Sequence, residues 1–349
     1  NMNKLPIIIE NDKIVTTNDL VSENIEKAKT DWDSFETSWD FTTHPLVRCA
    51  SFSMKEMAED RERHITDMNY IEEAFVNWSN ECYLRFTQLK ENEEELNRIF
   101  IDIYGLQDEP TPEVEEKDVT VRKADLQREI KSLISYAVGC MLGRYSPDVD
   151  GIAYAGGEWD NSKYQTFIPD RDNCIPITDE EYFEDDIVGL LCAWLKKVYG
   201  EKNLEENLTF IAQALGNKGK TSREIIRNYF LNDFMKDHIK IYQKRPIYWM
   251  FDSGKQNGFK ALCYMHRWNA DTVGNLRVEY LHKMQHIYEN EITRMQDTID
   301  NSSNARDVSA AMKRKDKLQK QLRETRDYDA MIANIALSRI DIDLDDGVK

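Results

Sequence analysis

The sequence predicts a mostly helical α+β protein, built from amphipathic helices around one central β-hairpin, with a few short strands and a long C-terminal helical pair. Apolar residues recur at three- and four-residue steps through most of the chain, which is the period of an amphipathic helix. One aromatic-rich stretch instead shows two short apolar runs around a polar segment with glycines, the pattern of a hairpin. Residues 269–349 are polar and helical in period, with one interruption.

Residues 1–104 are predicted to form a connecting segment followed by a long helix. A short apolar run at 5–9 precedes a helical patch near 20–29. The next stretch, 31–46, mixes four aromatic residues with acids and small polar residues in neither period, which predicts a buried connecting loop. At 53–104 the helical period returns, as is typical of one long amphipathic helix or two in series.

Residues 105–122 are predicted to be an acidic linker, because Gly105 ends the helical period and two prolines stand among several glutamates. The linker contains the triplet Glu115-Glu116-Lys117, which matches the end of a restriction-nuclease site. That triplet is common and lacks a strand that would hold two carboxylates over a metal. It therefore does not predict a nuclease.

Residues 123–217 are predicted to form a helical subdomain with short strands. The segments with helical period are 124–142, 180–199 and 204–215. The second of these begins with Asp179, Glu180 and Glu181, acidic residues that suit the positive end of a helix dipole. The loop-rich part between the first two segments contains two short β-like runs, 152–155 and 164–168.

One motif in this region imitates a nucleotide-binding loop. Residues 214–221 satisfy the relaxed pattern A-x-x-x-x-G-K-T, whose backbone amides and lysine would hold phosphates. A true loop of this kind follows a buried strand, whereas residues 204–215 have helical period. Gly216 is instead expected to end that helix, and Thr221 with Glu224 is expected to form the capping box of the next one. The motif therefore predicts a helix–turn–helix connection.

Residues 218–268 are predicted to form a basic helix–hairpin unit. A helix is expected at about 222–242, with apolar residues facing inward and basic residues facing outward. The hairpin follows, with apolar runs at Ile247–Phe251 and Phe259–Met265 around a polar loop at Asp252–Gly258. Such a unit suits the binding of a polyanion, and an ordinary core hairpin with solvated lysines is the alternative.

The charge distribution points to the same unit. The whole chain has a net charge of −18, which argues against a protein that coats nucleic acid by bulk electrostatics. From Lys218 to Lys283, however, thirteen basic residues stand against six acidic ones, a local balance of +7. The candidate polyanion contacts are the basic residues along the predicted helix and hairpin: Arg223, Arg227, Lys236, Lys240, Lys244, Arg245, Lys255, Lys260 and Arg267.

Residues 269–349 are predicted to form a long antiparallel helical arm, with two helices joined at Asn301–Asn304. Charges of both signs alternate along it, as on a solvated supporting arm. His282 and His286 have the i, i+4 spacing that places two imidazoles on one helical face. The glutamate of a metalloprotease and a third ligand are missing, so no metal site is predicted.

The cysteines and the hydropathy indicate in which cellular compartment the protein is expected. The six cysteines are scattered, without C-x-x-C or paired spacing, which predicts reduced core thiols and neither a zinc site nor a disulfide framework. No apolar run approaches the roughly 20 residues that a membrane span needs, and no signal-like segment opens the chain. We therefore expect a cytoplasmic protein without a membrane partner.

Several stretches of this chain resemble one known family. They are DWDSFETSWDFTTHPL at 31–46, EEELNRIFIDIYGLQDE at 93–109, SYAVGCMLGRYS at 135–146, ITDEEYFEDDIVG at 177–189, the run from Thr221 to Gly254, and GFKALCYMHR at 258–267. Together they look like the C-terminal portion of PglX-type methyltransferases, the large adenine-specific DNA methyltransferases of BREX phage-defence systems. The resemblance spans nearly the whole chain.

The resemblance implies a parent enzyme that transfers a methyl group from S-adenosylmethionine to the exocyclic amine of adenine in duplex DNA. It also implies that the part after the catalytic domain carries target recognition and helical spacers. The nine basic residues named above then become candidate DNA contacts. The implied partners are double-stranded DNA, in the context of the full-length enzyme, and other defence-system proteins.

The sequence departs from an active methyltransferase at the motifs that matter for chemistry. No two prolines are adjacent, so the [N/D]-P-P-[Y/F] motif that holds the target amine is absent. No two glycines stand in G-x-G, so the loop for the methionine part of the cofactor is absent as well. We therefore assign no catalytic, cofactor-binding or metal-binding residue to this chain and expect it to bind neither ATP nor S-adenosylmethionine.

Two functions of different classes remain open from the sequence. The first is a non-catalytic target-recognition and helical spacer segment of such an enzyme, supported by the basic unit and the resemblance. The second is a helical scaffold that docks other defence-system components through acidic surfaces, which the net charge and the long helices favour. They differ in whether residues 218–283 form one contiguous positive face.

Overall fold

A computed structural model of the protein describes residues 7–50, 70–216 and 219–342. The chain divides into two compact units, Asn1–Leu133 and Ile134–Lys349. Part of the predicted run at 5–9, part of the helix predicted at 53–104 and Lys218 lie outside the described residues. Within them, the prediction of a mostly helical protein with one hairpin and a C-terminal helical pair is confirmed.

The first unit contains two long helices. Helix α1 spans Ile14–Asp33, residues 45–50 are helical, and helix α2 spans Ile71–Tyr104. Gly105 ends α2 with a backbone φ of 67°, a left-handed conformation that glycine adopts without strain. The described part of the predicted long helix is therefore one continuous helix.

Polar side chains join α1 to α2. The Nδ2 atom of Asn92 donates to Glu23 at 3.1 Å and to Asn24 at 2.9 Å. Asp31, which is buried, lies 2.8 Å from Arg122 and 3.6 Å from Arg85. The inward face of α1 is thus largely polar, and most of its large apolar residues are exposed.

The stretch at 31–46 is only partly the buried loop that was predicted. Phe41, His44 and Leu46 are buried, but Trp32 is 57% exposed and Trp39 is 99% exposed. The prediction of burial is wrong for both tryptophans. Trp32 is still within α1, where it continues the outward apolar face of that helix.

The linker between α2 and the next helix is irregular, as predicted, with one 3-10 turn at Glu116–Asp118. It is nevertheless anchored, because Val119 and Val121 are buried in a cluster with Phe86 and Leu89 of α2. Helix α3 then spans Leu126–Met141.

The second unit contains a three-stranded antiparallel sheet. Its strands are β1 at Ile175–Ile177, β2 at Tyr248–Asp252 and β3 at Lys260–Tyr264, in the order β1-β3-β2. The predicted hairpin is confirmed, with Tyr248 opposite Tyr264 and Asp252 opposite Lys260.

The short strands predicted at 152–155 and 164–168 are wrong. The carboxylate of Asp148 accepts hydrogen bonds from the backbone amides of Gln165 and Thr166 at 2.7 and 2.8 Å, so a side chain occupies donors that a ladder would need. The third strand instead lies at β1, where Pro176 is tolerated because β1 is at the edge of the sheet.

Four helices precede the hairpin: α4 at Ile187–Tyr199, α5 at Leu204–Leu215, α6 at Ser222–Asn232 and α7 at Phe234–Ile241. The helix predicted at 180–199 starts later than expected, because Asp186 is its N-cap and not the acidic residues at 179–181. The helix predicted at 222–242 is interrupted at Asp233.

The described residues of the connection between α5 and α6 have the helix end and the cap contacts that were predicted for it. Gly216 ends α5 with a φ of 95°. The Thr221 hydroxyl accepts from the amide of Glu224 at 3.2 Å, and the Glu224 carboxylate accepts from the amide of Lys220 at 2.8 Å. These are the contacts of a helix N-terminus.

The C-terminal part contains α8 at Thr272–Leu276, a π-helical turn at Arg277–Leu281, α9 at His282–Asn301 and α10 at Ala305–Ser338. The predicted break at 301–304 is confirmed. The pair is not a free solvated arm, because a common buried cluster joins it to the sheet: Phe251, Phe259, Ala261, Tyr288, Leu318 and Tyr328 belong to it. No helix among the described residues is long and apolar enough to cross a membrane.

Candidate functional site

Arg227, one of the nine candidate contacts, faces the protein interior. Its guanidinium donates to the carboxylate of Asp186 at 2.6 and 2.7 Å and to the backbone oxygen of Thr178 at 2.9 Å. Asp186 is fully buried and also caps α4 by accepting from the amide of Val188 at 3.0 Å. The outward orientation predicted for Arg227 is therefore wrong, because its guanidinium forms an ion pair with a buried carboxylate at the start of α4.

Lys260 is also buried, and its ammonium lies 2.9 Å from both the Asp252 carboxylate and the Leu231 backbone oxygen. Arg267 donates to the backbone oxygens of Leu142 and Asp170, at 3.1 and 2.9 Å. Burial lowers the pKa of Arg267. Both cations hold chain segments together.

Two further candidates form ion pairs on the surface. Arg223 makes a two-point contact with Glu205, at 2.6 and 2.9 Å, and this hydrogen bonding raises the pKa of the guanidinium. Lys236 is 76% exposed and lies 3.5 Å from Asp233. Exposed pairs of this kind are weak, about 0–1 kcal/mol, so a stronger anion can displace the carboxylate.

The structure brings three candidates together in one turn: Lys240, Lys244 and Arg245, which we call the basic turn. All three are exposed, and within the described residues none has an acidic partner at ion-pair distance. Gln243 and Lys244 have φ values of 51° and 66°, a left-handed pair without glycine. Lys240 lies in the last turn of α7 and the other two residues follow its C-terminal end, where the helix dipole favours positive charge.

The buried side chain of His238 supports the backbone of the basic turn. Its Nε2 accepts from the backbone amide of Ile247 at 3.1 Å, and its ring lies 4.5 Å from the Tyr242 ring and 4.6 Å from the Tyr248 ring. Burial, with the positive charge of Arg144, lowers the pKa of His238 to about 3. The imidazole is therefore neutral at physiological pH and acts as a fixed acceptor, which excludes a phosphate-binding role for it.

Lys255, the remaining candidate, is exposed in the loop at the other end of the hairpin. Strand β2 separates it from the basic turn, and four steps of about 3.4 Å place the two ends of that strand about 14 Å apart. The predicted basic stretch is therefore not one contiguous face. Six of its nine candidates are exposed, two of them in surface ion pairs, while three are engaged inside the fold.

A cluster of three carboxylates was not predicted from the sequence. Oxygens of Asp170, Asp172 and Asp185 lie within 4.8 Å of one another, beside a cavity of about 490 Å³. The Tyr280 hydroxyl donates to Asp172 at 2.8 Å and to Asp185 at 2.5 Å. The only sequence signal is the D-x-D spacing at 170–172, since Asp185 and Tyr280 come from other segments.

Two carboxyl groups of the cluster have raised pKa values, which favours a shared proton within it. Burial and the adjacent charge of Asp172 raise the pKa of Asp170 to about 7, and burial raises the pKa of Asp185.

His282 and His286, the pair with metal-like spacing, contact separate acids: His282 lies 3.1 Å from Asp329, and His286 lies 3.2 Å from Glu289.

Comparison with known proteins gives the family context. No protein-family model matches the chain. It is 48% identical over 333 residues to the adenine-specific methyltransferase PglX of Lacticaseibacillus casei (strain Zhang), an alignment that covers 95% of this chain and 27% of that protein. It is 34% identical over 374 residues to the adenine-specific methyltransferase BrxX of Escherichia coli O9:H4 (strain HS), covering 99% of this chain and 29% of that protein.

The chain spans less than a third of the length of these curated relatives, with 27% and 29% of them covered. The match nevertheless includes the hairpin, the basic turn and the helical pair, because it extends over nearly all of the chain. The resemblance inferred from the sequence motifs is thereby confirmed, since the chain is similar over nearly its whole length to a portion of two adenine-specific methyltransferases.

Proposed function

We propose that this chain is the non-catalytic C-terminal part of an adenine-specific, S-adenosylmethionine-dependent DNA methyltransferase of a phage-defence system, and that it contacts duplex DNA mainly at phosphates. The basic turn is the observation that carries this proposal. Lys240, Lys244 and Arg245 are exposed and have no acidic partner within the described part of the chain, on a backbone that His238 holds in place. Lysine and arginine on a rigid element are the usual means of positioning a protein on phosphates.

Lys255 supplies a second contact point at the far end of β2. Cationic points beyond the two ends of a strand suit a backbone that carries phosphates at regular intervals, since several can be neutralised without one continuous positive face. Arg223 and Lys236 add charge once their surface carboxylates are displaced. Arg227, Lys260 and Arg267 are left out of the proposed contact because their charges are engaged internally.

A non-catalytic role is supported by the type of sheet. Cofactor sites of α/β enzymes lie at the carboxyl ends of parallel strands, whereas the strands named above pair antiparallel. This pairing supports a role for the described residues that does not include binding of S-adenosylmethionine. We assign the cofactor and the methyl transfer to the remainder of such an enzyme.

The test uses the full-length enzyme and measures DNA affinity across a salt series. Replacing Lys240, Lys244 and Arg245 together by alanine should weaken binding to target and non-target DNA about equally. It should also make the slope of log K against log salt shallower by up to about 2.7, at about 0.9 per phosphate contact. If Arg245 reads a base, Arg245→Ala should instead cost about 1–3 kcal/mol on the target sequence alone.

A matched control removes three exposed cations from outside the basic stretch: Lys197, Arg306 and Lys313. This variant loses the same charge, but at positions outside the proposed contact. It should therefore lower DNA affinity far less and leave the salt slope unchanged. Equal effects of the two triple variants, or no effect of the first, would overturn the proposal.

The scaffold alternative is favoured by the outward face of α1. Ile14, Val21, Ile25 and Trp32, which we call the outer stripe, repeat at helical spacing and are 41%, 40%, 64% and 57% exposed. An exposed apolar row of this kind suits packing against another helix. If the alternative holds, Val21→Asp with Ile25→Asp should abolish binding of purified defence-system components without changing DNA affinity, and the triple basic variant should leave that binding intact.

A further inference from the structure

The hairpin loop at 252–258 is held by one carboxylate from the second helix of the C-terminal pair. Glu324 accepts from the Ser253 hydroxyl at 2.9 Å, from the Gln256 amide at 2.8 Å and from the Gly258 amide at 3.0 Å. These donors stand on both sides of Lys255. The backbone around Lys255 is therefore fixed by a residue of α10.

Other contacts complete the attachment of the loop. The Gln321 side chain is fully buried and its Nε2 donates to the backbone oxygens of Gln256 and Asn257, each at 3.3 Å. The Tyr288 hydroxyl donates to the backbone oxygen of Gly258 at 2.7 Å. The loop amides thus donate hydrogen bonds to a carboxylate, and the loop carbonyls accept hydrogen bonds from side chains. This network restricts the conformation of the loop.

The loop approaches α10 so closely that glycine is required. A Cβ atom on Gly258 would lie 2.9 Å from the backbone oxygen of Gln321, and one on Gly254 would lie 2.8 Å from the Glu324 carboxylate. Gly254 also has a φ of 134°. The close approach brings the loop amides within hydrogen-bond distance of Glu324.

We propose that Glu324 is a positioning residue that orients Lys255 for its contact with a DNA phosphate. The inference rests on the proposed function, since it assumes that Lys255 contacts phosphate. An exposed lysine on an unrestrained loop would lose conformational entropy on binding, and a loop that is already ordered avoids most of that cost. The helical pair thus contributes to the proposed DNA contact by supplying the carboxylate that positions the loop.

The sign of one substitution separates positioning from simple electrostatics. Glu324→Gln removes a negative charge near the proposed contact, so electrostatics alone would strengthen DNA binding. Positioning requires the opposite, because the amide cannot accept from the three donors as the carboxylate does. A weaker affinity after loss of a negative charge is therefore specific to the positioning role.

The experiment is a double-mutant cycle in the full-length enzyme, with Glu324→Gln, Lys255→Ala and the combination, measured by DNA affinity across salt. Lys255→Ala should make the salt slope shallower by about 0.9. Glu324→Gln should weaken binding in the same direction, and it should have no further effect when Lys255 is already alanine. Glu289→Gln, which removes a carboxylate from an exposed pair with Arg326 on the same helical pair, is the matched control and should not weaken binding.

Hydrogen exchange reports on the loop directly. In Glu324→Gln the amides of Gln256 and Gly258 should exchange faster, while strand amides of β3 keep their protection. If Lys255→Ala leaves affinity and slope unchanged, the proposed phosphate contact of Lys255 fails. If Lys255→Ala weakens binding but Glu324→Gln strengthens it or does nothing, the contact stands and the positioning role of Glu324 is wrong.

Discussion

The Asp186 carboxylate accepts hydrogen bonds from both terminal nitrogens of the Arg227 guanidinium, at 2.6 and 2.7 Å, in the interior of the second unit. The same carboxylate accepts from the amides of Val188 and Gly189 at the start of α4. One buried acid thus fixes α6 against the beginning of α4.

We expect Arg227→Ala to be strongly destabilising, because it leaves a buried carboxylate without its counter-ion. Removal of one partner of such a pair costs about 3–5 kcal/mol. Arg223→Ala, four residues earlier, should cost no more than about 1 kcal/mol, since its pair with Glu205 is exposed. Urea denaturation of the two variants measures the difference, and equal losses of unfolding free energy would contradict the structural role of Arg227.

His238 should make stability depend on pH below neutrality. Its folded-state pKa is about 3 against 6.5 for the free side chain, so in that window the unfolded chain binds a proton that the folded chain excludes. The contribution is full above pH 6.5 and falls as the pH is lowered, by at most about 2 kcal/mol at pH 5. His238→Gln should be less stable at pH 7.5 but should lose less between pH 7.5 and 5, as thermal melts would show. Parallel losses would exclude a neutral buried His238.

Asp170 should have the opposite effect. Its folded-state pKa is raised to about 7 from 3.8, so the unfolded chain releases a proton that the folded chain retains, and stability falls as the pH rises through that window. Asp170→Asn cannot ionise, and its oxygen can still accept from the Cys174 amide, a 3.0 Å contact. The variant should therefore gain in melting temperature relative to the parent between pH 5 and pH 8. A constant difference across that range would contradict the shared-proton network.

Two glycines should respond in opposite ways to alanine. Gly258→Ala places a methyl group 2.9 Å from the Gln321 backbone oxygen, so we expect an overpacking cost of about 1–3 kcal/mol. Gly274, in α8, has no neighbour within 4 Å of its added Cβ, and Gly274→Ala should stabilise by up to about 1 kcal/mol through helix propensity. Chemical denaturation compares them, and a neutral Gly258→Ala would mean that the loop can move away from α10.

Local patterns in the sequence were sufficient for much of the fold. The hairpin, the break at 301–304 and the ends of helices at Gly105 and Gly216 are set by turn chemistry and periodicity within a few residues. The motifs also predicted the similarity to adenine-specific methyltransferases, because the stretches quoted for it lie along nearly the whole chain. Such features depend on neighbours in the chain, which the sequence displays directly.

Contacts between distant segments decided the rest. Charge alone does not separate Lys244, which is exposed, from Arg227, which is buried against Asp186 41 positions earlier. Nor does a short apolar run reveal whether its amides will join a ladder or be taken by a side chain, as Asp148 takes those of Gln165 and Thr166. Composition determined that a basic stretch exists. Tertiary structure decided which of its cations face solvent, because burial and pairing depend on the groups that folding brings together.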